Sequence, residues 1–228
     1  MNPLILSIET SAEACSVALS KGTEVLSELV ITEPRQQAGQ LAPLIERILA
    51  EASLSVGDLD AVAVSEGPGS YTGLRVGAST AKGLCFGAGK PLIAVNTMDI
   101  LFAQTKGLEY DFIVPAIDAR RMEIYQAVYN SEGERITPQE PKVIDENSYG
   151  DILKKGKVLF VGTGAVKMAE VIHSDNAAFM QCTPFASAMA GFAAKAYSEK
   201  AFADVAYFEP FYLKDFAPGV TKKDPLKW

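Results

Sequence analysis

The sequence predicts an α/β protein made of two related lobes, and three observations carry that prediction. Residues 1–107 and residues 108–228 share one order of elements: three strands, a helix, a strand and a helix. The first strand of each half ends in a carboxylate, Glu9 in one and Asp118 in the other. The first half also has a strand, a glycine loop and a helix in succession, which is typical of α/β folds. We therefore expect a cleft between the lobes, because ligands of such folds bind beyond the carboxyl ends of strands.

Three strands open the first half as an antiparallel meander. Residues 4–8 form a compact apolar run, residues 14–19 alternate between apolar and small side chains, and residues 25–31 form a third strand. A helix over 34–52 follows, because apolar residues recur there at helical spacing. These residues are Leu41, Leu44, Ile45, Ile48 and Leu49. A strand over 61–64 then leads into the glycine loop.

The glycine loop lies within EGPGSYTGLRVGA at 66–78, the most informative stretch of the chain. Gly67 and Gly69 allow a positive φ or a close approach to another chain or a ligand. Ser70 or Thr72 can cap the helix that follows. A helix N-terminus of this kind is a natural anion site. A tight turn with no ligand explains the glycines equally well.

The helix after the loop is predicted over 71–88, and a strand over 92–95 and a helix over 97–106 complete the first half. The second half repeats the order of elements. Its predicted elements are strands over 112–117, 123–129 and 142–144, a helix over 148–155, a strand over 158–161, a helix over 165–173, a strand over 178–182 and an Ala-rich helix over 184–203. An aromatic segment at 208–213 is expected to pack back on the body. Glu9 and Asp118 then face each other across the cleft, unless both are ordinary turn acids.

Composition and charge exclude several classes of protein. The 228 residues are 48% hydrophobic and 21% charged, and the formal net charge of −7 makes unaided binding of nucleic acid improbable. Three distant cysteines favour reduced thiols in a cytosolic protein. We see no signal peptide and no membrane-spanning run, so we expect a cytoplasmic protein.

The residue inventory also restricts catalysis. His173 is the only histidine, which excludes a multi-histidine metal site and leaves one residue for any hydrolase triad. Gly89-Lys90 is followed by Pro91, so no P-loop is present. The cations near the predicted cleft can hold phosphate, but we expect most of them to pair with Glu9, Glu66 or Asp118. These cations are Arg75, Lys82, Arg120 and Arg121.

Four blocks of sequence, in order, resemble the bacterial tRNA threonylcarbamoyladenosine biosynthesis family TsaB, also called YeaZ. They are LILSIETSAEACSVAL at 4–19, GPGSYTGLRVGA at 67–78, KPLIAV at 90–95 and AIDARRMEIY at 116–125. The resemblance implies the actin/Hsp70/sugar-kinase-like (ASKHA) fold, with two ribonuclease-H-like lobes. It also implies a non-catalytic scaffold that binds the transferase TsaD, with the ATPase TsaE completing the complex that makes N6-threonylcarbamoyladenosine in tRNA.

The resemblance further implies that the chain is not an enzyme. In TsaD, two histidines in H-x-x-x-H spacing hold a metal, and the matching positions here are Thr97 and Leu101. Neither residue suits a divalent metal, so we expect no metal site. No cofactor is required, and ATP or ADP at the partner interface stays an open alternative. The candidate nucleotide-binding residues are Glu9, Ser11, Gly67, Gly69 and Asp118.

Small residues on two helices mark the predicted partner face, because they permit close helix approach. They are Ala38, Gly39, Ala42, Gly77, Thr80 and Ala81. We expect this face to bind TsaD, or a second copy of the chain when TsaD is absent, unless it packs only within the lobe. Contact with tRNA is expected to be indirect, and the tail at 222–228 has no assigned role. The alternatives are an ATPase or small-molecule kinase that uses Glu9 and Asp118, and a glycoprotease.

Overall fold

Two β-sheets, one from each half of the chain, organise the structure, which is a computed structural model describing residues 2–33 and 37–213. The side chains of Gln37 and Ala38 are outside that description, as are the predicted helix start at Pro34 and the tail at 222–228. No helix in the described ranges combines the length and apolar character needed to cross a bilayer.

The first sheet has five strands in the order β3-β2-β1-β4-β5. The strands are β1 (Leu4–Glu9), β2 (Cys15–Lys21), β3 (Glu24–Ile31), β4 (Ala61–Gly67) and β5 (Leu92–Asn96). β1, β2 and β3 pair antiparallel, which confirms the predicted meander. β4 and β5 run parallel to β1, so their carboxyl ends meet at one edge of the sheet.

Two helices, α1 (Gln37–Glu51) and α2 (Tyr71–Ala88), cover one face of this sheet. Leu6 and Ile8 of β1 point to that face and join the apolar stripe of α1 in a continuous core. α2 has the predicted bounds because Ser70 caps its start and Gly89, at φ 64°, ends it.

The other face of the first sheet is covered by α3 (Thr97–Ala103) and by a late segment of the chain. A 3₁₀ turn at Ala186–Met189 and α6 (Ala190–Glu199) pack Met189 and Ala193 against Ile5 and Ile93. The predicted continuous helix over 184–203 is therefore wrong in extent, and it does not pack on the second lobe. The physical reason is that β1, β4 and β5 are apolar on both faces, and α1 and α2 cover only one.

The second sheet has the order β11-β10-β6-β7-β9, with β8 beside β6. Its elements, with two short helices, are β6 (Phe112–Asp118), β7 (Glu123–Gln126), β8 (Tyr129–Asn130), β9 (Glu140–Val143), α4 (Gly150–Leu153), β10 (Val158–Val161), α5 (Ala165–Ala169) and β11 (Ala177–Met180). The single strand predicted over 123–129 is two strands, because the Val128 N–H donates to Thr137 Oγ1 rather than to the ladder.

The lobes pack directly on each other. Met98 and Leu101 of α3 join Ile113 and Leu159 of the second sheet in one apolar cluster. The Tyr129 hydroxyl donates to Asp99, and its ring stacks on that of Phe102 at 4.7 Å between centroids. The division at residue 107 separates the two sheets, but the chain after residue 183 returns to the first one.

Candidate functional site

The glycine loop is packed between two other segments of the same chain. The Ser70 N–H donates to the Ser11 carbonyl at 2.6 Å, and a Cβ on Gly69 would collide with that carbonyl. Gly67 has φ 111°, and a Cβ there would lie 2.6 Å from the Phe211 carbonyl. Both glycines are thus required by the close approach of the chain itself, which is the tight-turn alternative.

A C-terminal strap, defined as residues 203–213, lies along α2 and the glycine loop. The Phe211 N–H donates to the Glu66 carbonyl at 2.7 Å, and the Tyr212 ring lies 5.0 Å from that of Tyr71. Lys82 Nζ donates to the carbonyls of Ala206 and Phe208 at 3.0 Å each. This confirms the prediction that the aromatic segment at 208–213 packs back on the body.

Glu9 is fully buried at the carboxyl end of β1. Its Oε1 accepts from the Ser11 N–H at 2.5 Å, while its Oε2 has no hydrogen-bond partner among the described residues. Burial raises the pKa of the Glu9 carboxyl to about 7, and the Ser11 N–H acts against that rise. Ser11 and Gly67 are buried as well, so these three predicted nucleotide-site residues do not line an open cavity.

Thr97 and Leu101, the two positions that the resemblance matches to metal-binding histidines, are both fully buried. Thr97 begins α3, where Asn96 caps the helix by accepting from the Met98 N–H at 3.0 Å. Leu101 lies in the apolar cluster between the lobes, against Gly162. Within the described residues, no group of three or more His, Cys, Asp or Glu side chains could hold a metal.

Asp118 is exposed at the carboxyl end of β6, the position equivalent to Glu9 in the second lobe. Its Oδ1 accepts from Lys167 Nζ and from the Arg120 N–H, both at 2.6 Å. Its own N–H donates to Thr163 Oγ1 at 3.0 Å. Sequence reasoning missed this role of Lys167, since nothing local to the α5 sequence signals a partner 49 residues away.

The ion pairs expected for most of the four cations are not formed within the described residues. Arg75 lies over the Tyr71 ring at 4.6 Å, and Lys82 binds carbonyls of the strap. Glu9 is buried out of reach, Glu66 accepts from Asn96, and Asp118 pairs with Lys167. The remaining two cations, Arg120 and Arg121, are exposed and make no ion pair within the described residues.

An apolar groove of about 420 Å³ opens between α1 and α2, and we call it the α1–α2 groove. Its lining residues are Ala42, Ile45, Glu46, Leu49, Ala50, Leu54, Ser55, Val56, Thr80 and Leu84. It contains two residues of the predicted partner face, Ala42 and Thr80. Gly39 is exposed on α1 but outside this lining, and the Ala38 side chain lies outside the described residues.

Two other residues of the predicted partner face are wrongly assigned. Ala81 is fully buried in the core of its own lobe, and Gly77 packs against Thr10. The reason is helical periodicity, because a 3.6-residue repeat places these positions on the stripe of α2 that faces the sheet. The inward stripe consists of Leu74, Gly77, Ala78, Ala81 and Cys85.

The family model for TsaD, described as tRNA N6-adenosine threonylcarbamoyltransferase, matches residues 24–218. The tRNA threonylcarbamoyladenosine biosynthesis protein TsaB of Haemophilus influenzae is 31% identical, with 94% of each chain covered. TsaB of Escherichia coli is also 31% identical, over 92% of this chain and 94% of the relative.

Solved structures show the same fold. YeaZ from Pseudomonas aeruginosa superposes with a TM-score of 0.80 at 27% identity, over 92% of this chain and all of that one. An activator of 2-hydroxyisocaproyl-CoA dehydratase from Clostridium difficile gives a TM-score of 0.51 at 11% identity, over 87% of this chain and 96% of that one, a likeness of fold alone. The predicted two-lobe ASKHA architecture is confirmed.

Proposed function

Because this chain belongs to the TsaB (YeaZ) family of tRNA threonylcarbamoyladenosine biosynthesis proteins, we propose that it is the non-catalytic subunit that binds the transferase TsaD. Membership gives the chain a role in making the modified tRNA nucleoside. The proposed scaffold role adds that the chain performs no chemistry and makes its partner competent. TsaE then joins only through the complex of the two.

The α1–α2 groove is the observation that carries the proposal. Most of its lining side chains are apolar and come from α1, α2 and residues 54–56, and one α2 residue beyond it, Phe86, is 86% exposed. An exposed apolar surface of this kind marks an interaction site in a soluble protein. Glu46 is the one charged residue of the lining, so a partner need bury little charge to fill the groove.

The sequence similarity between this chain and the TsaD family indicates which partner the groove would bind. The TsaD family model matches this chain over most of its length, so TsaD is expected to present an equivalent pair of helices. Two such pairs can pack by inserting the ridges of one into the grooves of the other. A second copy of this chain offers the same surface, which supports self-association when TsaD is absent.

The interior of the first lobe supports the non-catalytic part of the proposal. Thr97 and Leu101 are buried where TsaD has its metal-binding histidines. An ATPase or kinase would need Glu9 and Asp118 to face one open cavity, but Glu9 is buried and Asp118 is bonded to Lys167. No cofactor is required for a scaffold, and nucleotide at the partner interface remains a separate prediction.

Charged substitutions in the groove test the proposal. Ala42→Arg with Thr80→Arg should weaken binding of TsaD by at least about tenfold, because two long charged side chains would fill the apolar groove and would have to lose water at the interface. The measurement is co-elution after co-expression, with affinity by calorimetry. Ser198→Arg, at an exposed site on α6, is the matched control and should bind normally. Equal binding by the groove variant and the control would exclude the groove as the interface.

A further inference from the structure

We propose that Arg120 and Arg121 form a phosphate-binding turn that contacts the tRNA backbone when the chain is part of the modification complex. This inference rests on the proposed function, and it concerns a surface that the groove does not include. It begins from the ion pairs, because these two guanidinium groups make none with the residues that the structure describes.

The turn that carries the arginines is held in an unusual backbone conformation. It connects β6 to β7, and Arg120 and Arg121 have φ of 70° and 50°, two successive non-glycine residues in the left-handed region. Such residues persist only where the surroundings hold them, and they cluster at functional sites. Here the Arg120 N–H donates to Asp118, and the Arg120 carbonyl accepts from the Glu123 N–H.

Lys167 holds the turn in place through three hydrogen bonds from its ammonium group. Its Nζ donates to Asp118 Oδ1 and to the Arg121 carbonyl at 2.6 Å each, and to the Glu123 carbonyl at 3.0 Å. Its side chain is only 12% exposed, so this ammonium group is committed to the turn. Lys167 also neutralises Asp118, which is two residues before Arg120 in the sequence. Since the two guanidinium groups make no ion pair within residues 2–33 and 37–213, we take them as open to a ligand.

Phosphate is the ligand chemistry that this arrangement favours. A guanidinium group binds phosphate oxygens through two parallel hydrogen bonds, and adjacent arginines can bind successive phosphates of a backbone. The cavity that Met122 lines also contains Asp145, Glu146 and Glu170, so this side of the turn is acidic and the proposed phosphate contact is confined to the two arginines. Backbone phosphates are the contacts that position a protein on nucleic acid without reading sequence.

The net charge of −7 does not contradict this contact. Whole-chain charge governs whether the isolated protein attracts tRNA, and the expectation of indirect binding rested on that charge alone. In the complex the partner holds the tRNA, and a local pair of cations then acts on phosphates already nearby. The expectation that contact with tRNA is indirect therefore applies to the isolated chain only.

Salt dependence of tRNA affinity tests the inference directly. The complex of this chain with TsaD would be titrated with tRNA over a series of salt concentrations, and log affinity plotted against log salt. Arg120→Gln with Arg121→Gln should reduce the magnitude of the slope by about one to two, since each lost phosphate contact releases roughly one counterion fewer. Lys154→Gln with Lys155→Gln removes two adjacent exposed charges from the same lobe and should leave the slope unchanged.

Two further readouts separate the alternatives. Arg120→Lys with Arg121→Lys keeps the charge and should retain the slope, which guards against misfolding of the glutamine variant. The inference would be overturned if Arg120→Gln with Arg121→Gln had the same salt slope as Lys154→Gln with Lys155→Gln. The inference would also be overturned if Arg120→Gln with Arg121→Gln no longer co-eluted with TsaD while the lysine control did, because the turn would then contact a protein. Failure of the wild-type chain to bind TsaD would overturn the proposed function and this inference together.

Discussion

Glu9 shows how a residue type that suits a ligand site can have another role. A carboxylate at the end of a parallel strand is often a ligand-binding group in α/β proteins, and the sequence placed Glu9 there correctly. The structure buries it completely, with one oxygen bonded to the Ser11 N–H and the other unpaired among the described residues. The consequence is a carboxyl group that resists ionisation inside the fold.

The stability of the protein should therefore depend on the ionisation of Glu9. Its pKa is raised from 4.5 to about 7 on folding, so the folded state binds more protons and its stability falls as pH rises between these values. The full difference is about 3 kcal/mol at pH 8 relative to pH 4. Glu9→Gln does not titrate, so its stability relative to the wild type should increase over that range. Urea unfolding at pH 5 and pH 8 measures this, and parallel pH profiles would contradict it.

At the residue scale, helix-capping residues were easier to predict from the sequence than side-chain contacts between residues that are distant in the chain. The sequence offers Ser70 or Thr72 as the helix cap, because a hydroxyl before a helix has a local role, and the structure uses Ser70. The bond between Lys167 and Asp118 joins residues distant in sequence and has no local signal. The same is true of Glu9, since the α3 and Ala186–Met189 segments that bury its face of the sheet come much later in the chain.

At the scale of elements, the glycine loop and α2 act as one unit. The loop is held by Ser11 on one side and by the strap on the other, and Ser70 then starts the helix. One stripe of α2 faces the sheet, while Lys82 holds the strap and Thr80 lines the groove. The loop, which by sequence suggests a phosphate site, thus positions α2. One face of this helix packs on the sheet, one holds the strap and one lines the groove.

Two glycine substitutions test this account of the loop and helix. Gly69→Ala should lower the free energy of unfolding by about 1–3 kcal/mol, because the added Cβ would collide with the Ser11 backbone. Gly83→Ala should be neutral or stabilise by up to about 1 kcal/mol, since it lies in the helix with open space around it. Thermal unfolding monitored by circular dichroism measures both. A Gly69→Ala protein as stable as the wild type would show that the loop is not held by its own chain.

The boundaries of an element were predicted well where capping residues next to it in the sequence mark its ends. The helix over 71–88 is correct because Ser70 and Gly89 mark its ends. The prediction over 184–203 is wrong because an Ala-rich sequence suits a helix throughout, and only tertiary packing creates the 3₁₀ turn. The inward placement of Gly77 and Ala81 follows from the helical periodicity of α2, whereas the small size of a side chain does not indicate which face of a helix it occupies.

At the scale of the molecule, the two lobes pack directly on each other, and the proposed interaction surfaces lie outside their shared boundary. α3 fills the space between the lobes with Met98 and Leu101, and Asp99 accepts from Tyr129 across the same boundary. Repetition of strands and helices allowed the two-lobe fold to be predicted, because each half carries its own hydrophobic pattern. The return of the last helix to the first sheet could not be predicted, since either lobe offers an apolar face.

We propose above all that this chain makes TsaD competent by binding it through the α1–α2 groove. The most direct test is formation of threonylcarbamoyladenosine in tRNA by a reconstituted system with and without this chain. We predict that product formation requires the chain, and that Ala42→Arg with Thr80→Arg lowers it to the level seen without the chain, while Ser198→Arg supports full activity. Product formed equally fast in the absence of the chain would contradict the account.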